Sequence, residues 1–320
     1  MAEIRCGLDW FQVSASWPTV IKDWPALRQA AEAVLRSTIP YIDTLGWTPE
    51  RVKDYRVLPM AGYPNTYDML YASCHVDPNR REQKIGVRYT SQNLNAYRAL
   101  GGTEGRLIEF YHDLGAKASR IDIAFDLFDY GIDPIKLYQD WEKGKVETRA
   151  RTASPLRKVA KVKGQTVAIG ATAYFGGRES DEYWRIYHKG LEQVVDSDWV
   201  RFEVELKGDR VVAAQEDIYK HGIEAVGKQL LRDQFTKMPY RFWKDLTEGK
   251  SVPLTPVGRK QTAHDAWLLN VIIPMIQDDM QSEWEGTEDR GITRSVEALM
   301  REHWTRRKMR IREQYGVCQK

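Results

Sequence analysis

The 320-residue chain has no apolar run approaching the ~18 residues of a membrane span, and its opening, MAEIRCGLDWF, lacks the apolar stretch of a signal peptide. Both absences lead us to expect a cytoplasmic protein with no membrane partner. Cysteine is scarce. Cys6, Cys74 and Cys318 are an odd, scattered set without CxxC spacing, which argues against a disulfide framework or a cysteine zinc site. Neither sign of charge dominates, with 48 Lys+Arg against 45 Asp+Glu, so the net +3 does not diagnose nucleic-acid binding by its sum. There is no Walker A loop, no GxGxxG after a strand, no GxSxG elbow and no HExxH. The six histidines (75, 112, 188, 221, 264 and 303) never form an HxH pair. Any metal would therefore be held mostly by carboxylates, and oxygen ligands select hard ions such as Mg²⁺ or Mn²⁺.

What is present is an ordinary soluble composition, 42% hydrophobic and 29% charged, long enough for one large domain or two. Its most informative stretch is Thr172 to Lys207, which contains two alternating runs. In Trp184–Lys189, Trp184, Ile186 and His188 share one face and Arg185, Tyr187 and Lys189 the other. In Trp199–Lys207, Phe202, Val204 and Leu206 oppose Arg201, Glu203, Glu205 and Lys207. A third run, Ser119 to Asp129, sets Ile121, Ile123, Phe125 and Leu127 against Arg120, Asp122, Ala124 and Asp126. Each charged face, taken singly, reads as a solvated sheet face or as a polar cleft.

Elsewhere Ile4 to Ser14 reads as a strand with Leu8, Trp10 and Gln12 alternating against Asp9, Phe11 and Val13, where Asp9 is ordinarily a turn or cap ligand. Helical spacing predicts helices from Pro25 through Ser37, over Gln92 to Leu100 and Glu104 to Leu114, from Pro134 to about Lys143, after Gly208, over Thr262–Ser282 and over the basic Ser295–Gln314. Tyr55 to Tyr89 predicts a hairpin or meander. Between Lys143 and Lys163 eight basic residues (Lys143, Lys145, Arg149, Arg151, Arg157, Lys158, Lys161 and Lys163) meet one acid, Glu147; this reads as a solvated loop or as a phosphate-contacting one.

The expected architecture is α+β: a central, largely antiparallel sheet flanked by helices, with a helical C-terminal extension. We expect one large domain over 1–245, which would carry any catalytic and DNA-binding role, a linker over 246–258 and a basic helical extension over 259–320. If the acidic strands pair, Asp122, Asp126, Glu203 and Glu205 form a common patch suited to Mg²⁺ or Mn²⁺, which would neutralise a phosphodiester oxygen. Tyr187 is then the candidate nucleophile. A tyrosine hydroxyl with pKa near 10 attacks poorly unless its phenolate is stabilised, and Arg185 and Lys189 are placed to supply positive charge. Attack on phosphate would leave a 5′-phosphotyrosine and a free 3′-hydroxyl. Taken alone, Tyr187 is one of sixteen tyrosines, whose ordinary role is a packed ring.

At these residues the chain resembles a known family. GLDWFQVS near the start, SRIDIAFD at 119–126, YFGGRESDEYWRIYHKGLE at 174–192 and WVRFEVELKGDR at 199–210 are similar, in order, to motifs of the replication initiation factor family of rolling-circle initiators and relaxases. The resemblance implies a metal-dependent nickase acting on single-stranded or supercoiled origin DNA, with a second copy of the chain and a host helicase as partners. It puts the catalytic tyrosine at Tyr187, flanked by Arg185 and Lys189. It puts family acidic residues at Asp122 and Glu203, with Asp126 and Glu205 also fitting. We expect Arg120, Arg201, Arg149, Arg151, Arg157, Lys158, Lys161 and Lys163 to contact DNA. Two other readings stay open: a non-catalytic origin- or operator-binding protein, and a metal-dependent nuclease that uses water.

Overall fold

The computed structural model describes residues 2–16, 37–38, 55–56, 65–69, 72–76, 84–162, 165–195 and 197–257. The chain divides into two units, Met1–Val257 and Gly258–Lys320. The second lies wholly outside the described residues, as do the expected helices at 262–282 and 295–314, almost all of the one at 25–37, and Lys163.

Strict alternation in three segments sets the middle of the sheet. β1 (Glu3–Ser16), β6 (Lys117–Phe128), β11 (Trp199–Lys207) and β10 (Glu182–His188) lie side by side. Around them run β2 (Tyr55–Arg56), β3 (Asn65–Met69), β4 (Ala72–Val76) and β5 (Lys84–Tyr89) on one flank, and β9 (Gln165–Phe175) and β8 (Ala153–Val162) on the other. The ten strands follow the order β2-β3-β4-β5-β1-β6-β11-β10-β9-β8, every neighbour antiparallel. The fold is α+β with an antiparallel sheet, as expected, and the 55–89 segment is the expected meander.

Among the described residues, the longer helices pack on the apolar face of the sheet. The helices are α1 (Ser91–Ala99), α2 (Glu104–Asp113), α3 (Pro134–Glu142), the short α4 (Lys189–Glu192), α5 (Gly208–His221), α6 (Ile223–Gln234) and α7 (Arg241–Thr247). Apolar residues at alternate strand positions meet them: Ile121, Ile123, Phe125 and Leu127 from β6, Val200, Phe202, Val204 and Leu206 from β11, and Trp184 and Ile186 from β10 are all buried. Among the described residues, no long helix stands over the alternate side chains of these same strands. This one-sidedness creates the site, because it commits the charged half of each alternating strand to a single surface.

α6 lies close under the site. A Cβ on Gly227 would come within 2.8 Å of the Phe125 ring and 3.0 Å of Ile123, so only glycine permits this approach to β6. Gly227→Ala is expected to cost about 1–3 kcal/mol, overpacking outweighing the gain in helix propensity. Thermal melting checks it; an unchanged melting temperature would show that α6 can shift freely.

Three sequence expectations are corrected here. The 143–163 run is not a loop: after α3 it forms the short strand β7 (Glu147–Thr148), paired with β12 (Phe235–Lys237), and then β8. Lys189 does not continue the strand of Tyr187, because β10 ends at His188 and Lys189 opens α4. In β1 the alternation breaks. Leu8 pairs with Ile123 and Trp10 with Asp122, which makes Asp9 the extra residue of a β-bulge and puts Phe11 and Val13 in the core with Leu8. β5 stops at Tyr89 opposite Phe11, so among the described residues the first half of β1 has no strand on that side. Glu104 accepts from Leu8 N–H at 3.1 Å and Arg98 donates to Leu8 C=O at 2.7 Å, satisfying the open edge at the bulge.

Candidate active site

The register of the four central strands dictates which side chains meet. Asp122 stands opposite Glu205, Ala124 opposite Glu203, and Asp126 opposite Arg201. On the other side of β11, Glu203 faces Arg185 and Arg201 faces Tyr187. The small side chain of Ala124 leaves room above the sheet where larger groups converge. Asp122 and Glu203 are 1% and 2% exposed, so both carboxylates need partners.

They have them. Arg120 forks onto Asp122 with bonds of 2.8 and 2.6 Å and stands 3.0 Å from Glu205, its guanidinium stacked 4.5 Å above the Trp10 ring. Arg185 Nη2 contacts Glu203, donates to Asp122 at 3.2 Å and lies 3.9 Å from Glu205. Lys207 pairs with Glu205 at 2.9 Å. Arg201 grips Asp126 bidentately at 2.7 and 2.8 Å and reaches across β6 to Asp9. Trp199 Nε1 completes the shell of Asp126 at 2.6 Å.

Tyr187 sits in the middle of this face and donates its hydroxyl proton to Glu203 Oε2 at 2.8 Å. Burial, reinforced by the Glu203 charge, holds the phenol well above its usual pKa. Arg201 acts in the opposite direction. The resting hydroxyl is therefore protonated and aimed at a base. Lys189, displaced from the strand, lies with its ammonium 5.5 Å from the centre of the Tyr187 ring and pairs with Glu192. A cleft of about 210 Å³ opens beside Tyr187, lined among others by Leu156, Lys158, Gly170, Thr172, Tyr174 and Arg185. Next to it Tyr174 and Tyr183 stack with ring centres 5.7 Å apart. Two larger hollows, of about 510 and 700 Å³, have neither Tyr187 nor the acidic face in their linings.

Burial raises the Asp122 carboxyl to about 7 despite Arg120. Asp122 thus binds a proton more tightly in the folded chain than in the unfolded one. Its contribution to stability is fully present below about pH 4 and is lost as pH rises toward 7. Asp122→Asn is expected to remove that fall, so that the variant gains on the native protein between pH 4 and pH 7. Denaturant melts across this range test it, and parallel curves would contradict it.

Whether these residues suit a divalent ion turns on one atom. Among the described residues no His, Cys, Asp or Glu cluster stands ready-made around an ion. Asp122, Glu203 and Glu205 converge on Arg185 Nη2 instead. Their all-oxygen donor set is the kind a hard cation takes, in place of that guanidinium. Asp126 is held apart from that set by Arg201 and Trp199.

The structure thus brings together Tyr187, Arg185, Asp122, Glu203, Glu205, Arg120 and Arg201. It sets Arg149 and Arg151 on the exposed turn between β7 and β8, and Arg157, Lys158 and Lys161 on β8. Asp9, Trp10 and the Tyr174–Tyr183 stack were missed as parts of this face. An aspartate breaking an otherwise apolar face in GLDWF was the one available signal of the first.

Residues 116–264 match the sequence model of the family described as replication initiation factor, which bears out the resemblance carried by the motifs. No curated protein matches the chain. Among solved structures, the rolling circle replication initiator protein from Geobacillus stearothermophilus has a similar fold, with a TM-score of 0.60 and 19% sequence identity over 77% of this chain and 96% of that one. Among the described residues no helix is long and apolar enough to cross a membrane.

Proposed function

From a chain whose residues 116–264 match the replication initiation factor family, we propose a nicking enzyme that opens origin DNA by transesterification on Tyr187 and later rejoins it. The observation that carries this reading is the 2.8 Å bond from the Tyr187 hydroxyl to Glu203 on an acidic, arginine-crossed sheet face. As Tyr187 Oη bonds to phosphorus, the bond from phosphorus to the 3′ oxygen breaks. The phenolic proton passes to Glu203, and the departing 3′ oxygen takes one from solvent. Rejoining runs the same steps backward, with Glu203 returning the proton.

Asp122, Glu203 and Glu205 are the residues that would hold Mg²⁺ or Mn²⁺, with Arg185 released from them. Such an ion would offset the negative charge of these carboxylates and of the phosphodiester. Freed from the carboxylates, Arg185 is positioned to bind a phosphate oxygen. Arg201 braces Asp9 and Asp126 beside the nucleophile, and Lys189 steadies its ring. Arg120 holds Asp122, and Arg149, Arg151, Arg157, Lys158, Lys161 and Lys163 supply DNA-backbone contacts. A second copy and a host helicase are the partners proposed with this role.

The test is the chemistry of the cut ends. Supercoiled plasmid bearing the cognate origin, incubated with Mn²⁺, should give a nick whose 3′ end a polymerase extends and whose 5′ end resists exonuclease until the protein is digested. A nick with a free 5′ phosphate would favour the water-using nuclease, and tight binding without a nick the silent binder.

A further inference from the structure

β8 and β9 do more than close the sheet. They pair with each other from Ala153–Phe175 to Val162–Gln165, whereas β10 reaches β9 only between Thr172 and Phe175. Among the described residues the seven of β9 before Thr172 therefore have a strand on one side only, and the pair runs on past the sheet as a two-stranded ribbon of about 23 Å at roughly 3.3 Å per residue. From Ser154 to Val159 every residue of β8 is exposed, as is Lys161. Leu156, Val159 and Ile169 are 40%, 51% and 47% exposed, so apolar as well as basic side chains are offered to solvent. A register shift beside Lys158 makes Ile169 an extra residue and bends the ribbon. Between Glu147 and Glu179 the sequence holds no acid but has Arg149, Arg151, Arg157, Lys158, Lys161, Lys163 and Arg178.

We infer that this ribbon lies in the major groove of the duplex flanking the nick, a step that rests on the reading of the chain as an origin nickase. A major groove about 12 Å wide accepts a two-stranded β-ribbon. Its walls are phosphates that Arg157, Lys158 and Lys161 would neutralise, and its floor carries thymine methyls that suit Leu156, Val159 and Ile169. Duplex DNA is favoured over a second copy as the occupant because two β8 edges brought together would oppose like charges. The ribbon's root lines the cleft beside Tyr187, so a duplex held there is next to the nucleophile.

The experiment uses the full chain, an uncut duplex carrying the cognate origin and no divalent ion, so that nothing depends on cleavage. Dimethyl sulfate should show guanine N7 atoms protected beside the nick position. Arg157→Ala with Lys161→Ala should erase that protection and lower the slope of log affinity against log salt by about 2. Protection and slope left intact by the pair of substitutions would overturn the inference. So would loss of self-association with N7 protection unchanged, which would make the ribbon a contact between copies. Failure of Tyr187 chemistry shows up separately, as an origin that is bound and footprinted but never nicked.

Discussion

Tyr187→Phe is expected to abolish both the nick and any covalent protein–DNA link while leaving the fold and DNA binding in place. The ring keeps its position opposite Arg201, and only the hydroxyl that bonds Glu203 is removed. Loss of one hydrogen bond costs about 0.5–1.5 kcal/mol of stability, and Arg185 still pairs with Glu203. Supercoiled-plasmid nicking read together with a thermal melt separates a missing nucleophile from a damaged fold. Residual nicking above a few per cent of the native rate would assign the attack to another group.

Glu203→Gln should lower nicking by roughly 10²–10⁴-fold, the range for removal of a general base. The geometry predicts a second, opposite effect. Glu203 contributes one of the negative charges on a surface meant to face phosphate, so its neutralisation should tighten DNA binding in the absence of divalent ions. A purely structural role would predict weaker binding and weaker cutting together. Glu203→Asp, which keeps the charge and shortens the reach, should recover part of the rate. Equal loss in both variants, with binding unchanged, would remove Glu203 from the proton transfer.

In the resting state the positive charge of Arg201 and Arg185 near Tyr187 is outweighed by burial and by Glu203. Arg185 is occupied by Asp122 and Glu203, and Lys189 faces the ring rather than the hydroxyl. The site relies on a base in place, with its cations reserved for the moment a phosphate arrives. A protonated phenol also limits untimely attack when no DNA is bound.

How much of this the sequence exposed follows from what alternation can carry. The acidic faces of 119–129 and 199–207 were legible because β6 and β11 keep an unbroken period of two, with helices on one side and polar groups on the other. The bulge at Asp9 was not, since the extra residue shifts the phase and no glycine or proline at that position marks it. Lys189 was misplaced because alternation ran one residue beyond the strand into the short helix α4, where Gly190 packs so close to the Ser197 carbonyl that an added Cβ would meet it. The basic ribbon resembled a loop because side chains exposed on both faces show no apolar period. The carboxylate partners were the least readable. Strand pairing brings Arg120, Arg185 and Arg201 onto the acids from different rungs, and the choice of partner belongs to the register.

The most direct measurement is to trap the wild-type protein on its own origin DNA with Mn²⁺, digest it with nuclease and trypsin, and locate the nucleotide remnant by mass spectrometry. The account predicts the remnant on the tryptic peptide spanning residues 186–189, attached through Tyr187. A remnant on any other peptide, or cleaved DNA with no remnant at all, would contradict it.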